Sequence, residues 1–152
     1  MGYIHQIIQA EPQPAVWIKK ATSISKLPNE IREAYGEVIS YLNEIGEPPL
    51  GPAFIAYYNM DMENLVIEIG FPVTREVPGR GDLVYGLIPG GKIASSFYKG
   101  AYNGMGACYE EILKWITDKG YVPSGVVYEF YYNSPMDVPE SELLTEIRFL
   151  LR

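Results

Sequence analysis

Apolar side chains recur at helical spacing in two stretches of the chain. In the first, Ile31, Ala34, Tyr35, Val38, Leu42 and Ile45 form one stripe, with Pro28 placed for a first turn and Gly46 for a stop. In the second, Met105, Cys108, Tyr109, Ile112 and Ile116 form the same stripe, and Gly120 stops it. Strand-like runs precede both helices, Ala15 to Lys20 and Ile93 to Gly100. Strand-like runs also follow them, and these match each other. A constant offset of 74 residues superposes Gly46 on Gly120, Pro49 on Pro123, Gly51 on Gly125 and Tyr57-Tyr58-Asn59 on Tyr131-Tyr132-Asn133; it also pairs Tyr35 with Tyr109. One further strand matches at an offset of 78, Leu65–Phe71 with Leu143–Phe149, so the second hairpin loop is four residues longer.

The chain therefore reads as an internal duplication of a strand-helix-strand-strand module. Module one spans about 1–74 and module two 92–152. The joining stretch 75–91 holds five glycines and two prolines and reads as a linker. At 152 residues and 17.1 kDa the two modules fit one domain, 1–152. The predicted class is α+β, two pseudo-twofold-related modules forming antiparallel sheets with a ligand cleft between them, because ligand sites favour such junctions.

Strand alternation selects the side chains that would see that cleft. Val127, Glu129 and Tyr131 share one face of the strand after the second helix, and Ala53, Ile55 and Tyr57 are their repeat partners. Glu129 thus occupies a slot that the other copy fills with Ile55. A solvated face would explain a glutamate, but its neighbours Val127 and Tyr131 are not solvated-face residues. With symmetric hairpin loops Ile55 would face Glu68 and Glu129 would face Glu146. Two such carboxylates repel unless a cation, such as Arg148, stands between them.

Charge narrows the partners. With 12 basic and 19 acidic side chains the net charge is −7 and the pI about 4.7, which repels a phosphate backbone and attracts cations. Nucleic acid is therefore not expected as a direct partner. No apolar run reaches the length of a membrane span, and Met1–Gln6 lacks a signal-peptide pattern. Gln6 also breaks the Met1-Gly2 myristoylation pattern. One cysteine and one histidine exclude an internal disulfide and a His/Cys metal cluster. The expectation is a cytoplasmic protein without metal, cofactor or membrane partner. Thirteen tyrosines are available for core packing or for pocket walls.

Gly91-Lys92-Ile93-Ala94-Ser95-Ser96-Phe97-Tyr98-Lys99-Gly100-Ala101-Tyr102, the helix ending Leu113-Lys114-Trp115-Ile116, Tyr128-Glu129-Phe130-Tyr131-Tyr132-Asn133-Ser134-Pro135 and Leu144-Thr145-Glu146-Ile147 together resemble the GyrI-like small-molecule-binding domain. That domain is also the effector-binding domain of multidrug-sensing transcription activators. The resemblance covers nearly the whole chain, most specifically 91–150, and implies the paired-module fold derived above. It further implies a cleft for lipophilic, often cationic, molecules, with Glu129 at the acidic position that meets the ligand's charge. Trp17, Tyr57, Tyr102, Tyr109 and Tyr131 are the candidate wall residues. The activators carry a winged DNA-binding region, and nothing before Trp17 matches one, so the resemblance implies a stand-alone form. Some stand-alone members resemble hydrolases that open cyclopropane-bearing natural products. In that case Glu129 would activate water, with Tyr102 or Tyr131 assisting.

Other signals are set aside on chemistry. Gly86 to Lys92 has phosphate-loop spacing, but Ile93 stands where a Ser or Thr must bind the metal ion, and a strand follows instead of a helix. Arg80-Gly81-Asp82 is an adhesion tripeptide by letters alone. Cys108 and Trp115 read as helix packing, and His5 as an ordinary strand residue. Two function classes remain: a binding module for amphipathic or cationic compounds, and a hydrolase in the same cleft. A protein partner, such as an inhibited topoisomerase suggested by the family name, or a homodimer stays open.

Overall fold

A computed structural model describes residues 3–152; the Met1-Gly2 start of the myristoylation pattern lies outside them. The chain divides into two compact units, one of residues 11–89 and one of residues 3–10 with 90–152. Each holds one helix and four antiparallel strands.

The 11–89 unit contains β2 (Gln13–Thr22), α1 (Leu27–Glu44), β3 (Ala53–Tyr57), β4 (Leu65–Pro72) and β5 (Leu83–Ile88), ordered β3-β4-β2-β5 across its sheet. The 90–152 unit contains β1 (His5–Ala10), β6 (Gly91–Lys99), α2 (Met105–Asp118), β7 (Pro123–Tyr131) and β8 (Leu144–Leu151), ordered β7-β8-β6-β1. The two sets of four strands thus have the same internal order, each with an added strand at its outer end.

Both helices form where the apolar stripes run and end the same way. Gly46 and Gly120 take positive φ of 69° and 83°. The next residue closes the turn in each case, Glu47 N–H to Leu42 C=O at 2.9 Å and Tyr121 N–H to Ile116 C=O at 3.1 Å. α1 packs on β2 and β4 and buries Ala34, Val38, Tyr41 and Leu42. α2 packs on β6, and its Cys108, Ile112 and Ile116 join Ala94, Val127, Ile147 and Phe149 in a core against which Trp115 also packs.

The joining stretch differs from the expected linker. Residues 83–88 form β5, paired with β2 from Gln13↔Ile88 to Ile18↔Leu83. The glycines and prolines that suggested a linker mostly flank this strand, and Gly86 within it serves packing: a Cβ there would lie 2.3 Å from Cη2 of Trp17. The N-terminal strand likewise departs from the module boundaries, since β1 pairs with β6 through His5↔Ser96 to Ala10↔Gly91. An offset of 78 relates β1 to β5, β2 to β6 and the starts of α1 and α2. α1 has 18 residues and α2 has 14, so the second copy lacks one helical turn and regains four residues in its β7–β8 loop.

Candidate functional site

Glu129 lies in β7, and its register partner is Ile147 of β8; Glu146 is instead paired with Phe130. This corrects the expectation of facing carboxylates. The hairpin is offset by one residue from the symmetric loop, and with a side-chain period of two that puts Glu129 and Glu146 on opposite faces of the sheet. The same offset in the other unit pairs Ile55 with Ile69 and Ala56 with Glu68. Glu129 shares its face with Val127, Ile147 and Phe149, the face that α2 covers. Strand alternation alone predicts a cleft-facing Glu129; the face it occupies is the one that α2 covers.

There the carboxylate is 8% exposed and held by two phenols. The Tyr109 hydroxyl, delivered by α2, donates to Oε2. The Tyr131 hydroxyl, two residues along β7, donates to Oε1 at 2.5 Å. Tyr102, in the 3-10 turn Tyr102–Gly104 ahead of α2, meets the Tyr131 ring edge-on with centroids 5.9 Å apart. Tyr102 is 43% exposed, Tyr131 half-buried and Glu129 buried, so aromatic surface runs inward from solvent to the carboxylate. Burial pushes the Glu129 carboxyl above its ordinary value, and the Tyr109 and Tyr131 donors oppose that rise. Burial, and then the Glu129 charge, raise the Tyr102 phenol.

This arrangement is a modified copy of a packing motif. Tyr109 packs edge-on against Phe149 at 5.5 Å, and its repeat partner Tyr35 packs against Phe71 at 5.4 Å. In that second setting the slot holds Ile55, 1% exposed. At that slot the carboxylate is new, and Tyr102 has no aromatic counterpart.

Three of the five predicted aromatic residues gather around Glu129: Tyr102, Tyr109 and Tyr131. Trp17 and Tyr57 belong to the 11–89 unit. Trp17 stands opposite Gly70 in β2 and lies over Gly86, and Tyr57 ends β3 opposite Ile67. Sequence reasoning missed a polar cluster on the other face of the 90–152 sheet. Glu146 there accepts from Ser95 Oγ at 2.7 Å, Tyr132 Oη at 2.8 Å and Arg148 Nε at 2.7 Å. Arg148 thus does pair with Glu146, as expected, but away from Glu129. Burial and the adjacent Glu146 push the Tyr132 phenol up to about 12. The signal available in sequence was Tyr58/Tyr132 and Glu68/Glu146 recurring together at the repeat offsets.

His5 lies in a strand as expected, and its Nδ1 meets Ser96 Oγ at 2.9 Å. An open groove in the 11–89 unit is lined by Glu33, Glu37, Arg80 and Asp82, and its one cation is engaged by Glu44 and by the Tyr41 ring. Among the described residues no three His, Cys, Asp or Glu side chains are grouped to hold a metal ion. No helix among them is long and apolar enough to cross a membrane.

A family model described as the GyrI-like small molecule binding domain matches residues 5–152. No curated protein matches the sequence. Among solved structures, the EcmrR C-terminal domain is similar with a TM-score of 0.81 at 18% identity, covering 100% of this chain and 99% of that one. In the EcmrR–DNA complex the chain spans 57% of the EcmrR chain it matches. SAV2435 bound to tetraphenylphosphonium is similar at a TM-score of 0.69 and 14% identity, over 100% of this chain and 94% of that one. A hydrolase from Listeria innocua is similar at 0.73 and 9%, over 97% and 91%.

Proposed function

We propose, from the premise that this chain belongs to the family of GyrI-like small-molecule-binding domains, that it holds lipophilic cations with Glu129 as their counter-charge. The observation that carries the reading is the buried carboxylate at the slot where the other copy has Ile55. A charge in such a place costs free energy unless a partner offsets it, and two phenols offset only part. An incoming cation offsets the rest. Tyr102, Tyr109 and Tyr131 are the proposed wall; each cation–π contact contributes about 0.5–2 kcal/mol, so two or three with one carboxylate reach micromolar affinity. The cationic ligand of SAV2435 is of the proposed class.

Tetraphenylphosphonium is the probe. Calorimetric titration of the wild type and Glu129→Gln should show saturable binding that weakens about tenfold or more in the variant, the size of one lost charge-assisted contact. Equal affinities would remove Glu129 from the site.

A second reading is favoured by one observation: a carboxyl raised by burial and bonded by tyrosine is also the form of a general base. As a hydrolase the chain would use Glu129 to take a proton from water as its oxygen bonds one carbon of an electrophilic cyclopropane; the ring C–C bond breaks, the released carbon takes the proton back from Glu129, and Tyr131 or Tyr102 orients the reactants. Glu129→Gln would then keep binding a neutral substrate and stop forming a product heavier by one water.

A further inference from the structure

The start of β1 carries the chain's one histidine against α2. His5 is in register with Ser96 of β6, and its side chain is 6% exposed. Its Nδ1 lies 2.9 Å from Ser96 Oγ. The Ser96 hydroxyl has one proton, which it donates to the Ile4 carbonyl oxygen at 3.1 Å. Toward His5 the hydroxyl therefore accepts, and Nδ1 is the nitrogen that carries hydrogen. In the neutral ring Nε2 is then a bare acceptor. It is buried and has no hydrogen-bond partner among the described residues. Facing it is a second acceptor, Oε1 of Glu111 on α2, at 3.6 Å.

The groups around this pair come from three elements. Trp115 of α2 packs on the imidazole with ring centroids 5.5 Å apart, and Lys119 stands over that indole at 5.8 Å. Tyr3, just ahead of β1, lies 6.5 Å from the imidazole, and Tyr98 of β6 lies 6.0 Å from Tyr3. Cys108, also on α2, reaches Ser96 Oγ at 4.0 Å. Burial raises the Cys108 thiol, with Ser96 opposing and Glu111 adding to the rise. Burial, Tyr3 and Cys108 raise the Tyr98 phenol. Thiol and phenol therefore keep their protons through neutral pH. Histidine is the side chain that changes charge between about pH 5 and 8. A proton on Nε2 turns two opposed acceptors into a charged donor and its acceptor.

We propose that His5 and Glu111 form a proton-operated latch between β1 and α2. With His5 protonated, Nε2–H donates to Glu111, and the edge strand is tied to the helix by an ion pair as well as by packing. With His5 neutral, the two acceptors oppose each other and the tie is released. The latch acts on a helix that matters elsewhere in the unit: α2 delivers Tyr109 to Glu129 and covers the sheet face on which that carboxylate lies. Acid therefore firms the hold on the element above Glu129. The latch follows from the bonds of His5 and stands whatever ligand Glu129 takes.

Urea unfolding of the wild type and Glu111→Gln at about pH 5.5 and about pH 8 tests this, because the substitution changes sign with the state of His5. At the lower pH it removes the ion pair, and the unfolding equilibrium should shift about fivefold toward the unfolded chain, as for a partly exposed pair. At the higher pH the introduced amide can donate to the bare Nε2, so the variant should be at least as stable as the wild type. In a His5→Phe background the same substitution should have one effect at both pH values. An equal shift at both pH values in the wild-type background, or a pH dependence that survives His5→Phe, overturns the proposal. If His5→Phe does not fold, nitrogen NMR of the wild-type imidazole decides: Nδ1 should carry hydrogen throughout and Nε2 gain it only in acid. A neutral ring with its hydrogen on Nε2 overturns the latch.

Discussion

Burial raises the Glu129 carboxyl, and the sign of the resulting pH dependence follows from proton linkage. Between the unfolded value of about 4.5 and the higher folded value, the native state binds more protons than the unfolded one. The contribution of Glu129 to stability is therefore fully present below 4.5 and is lost as pH rises through the folded value. Glu129→Gln removes that loss. Its melting temperature should match or exceed that of the wild type at neutral pH and lose this advantage near pH 4, as read by calorimetry across pH. A variant destabilised equally at both pH values would show that the carboxylate is not strained by burial. Glu146 runs the other way: burial is outweighed by Arg148, Ser95 and Tyr132 together, so its stabilisation is present above about 4.5 and lost as pH falls further. Arg148→Ala should cost about 2 kcal/mol at neutral pH, less than a fully buried pair because the arginine side chain is a quarter exposed.

The repeated Tyr-Tyr-Asn triplet acts at the scale of the hairpin. Asn133 closes the β7–β8 loop from both ends, its Nδ2 donating to Glu142 C=O at 3.1 Å and its Oδ1 accepting from Leu144 N–H at 2.9 Å. Asn59 does the same for β3–β4, with Asn64 C=O at 2.9 Å and Val66 N–H at 3.1 Å. These bonds fix the one-residue offset that places Glu129 on the helix-covered face. Asn133→Ala removes both and should destabilise by about 1–2 kcal/mol in urea unfolding. Because the second loop is four residues longer, the change should cost at least as much there as Asn59→Ala in the shorter one. A neutral result for both would leave strand packing alone to set the register.

At the scale of the whole chain the sequence repeat and the folded units do not coincide. β1 lies within module one but pairs with β6 of module two, and β5 lies in the joining stretch but pairs with β2 of module one. A fragment 11–89 retains β5 beside β2, while a fragment 1–74 ends before β5 and leaves β1 without β6. The first should unfold cooperatively in urea at a higher midpoint than the second, because it keeps the six-residue pairing of β5 and the burial of Leu83 and Ile88. Equal midpoints would mean that β5 adds nothing to the stability of the unit.

Sequence alone determined both helices, their glycine stops, the six strands of the duplicated modules and the family resemblance, because helical spacing, turn residues and a repeat are local properties of the chain. It also marked Glu129, since a carboxylate at an apolar repeat position shows without coordinates. Only tertiary structure decided the sheet face of Glu129, which depends on a one-residue register that side-chain bonds of Asn133 hold across the loop. The same is true of β5, where glycine answers to the Trp17 ring laid over it.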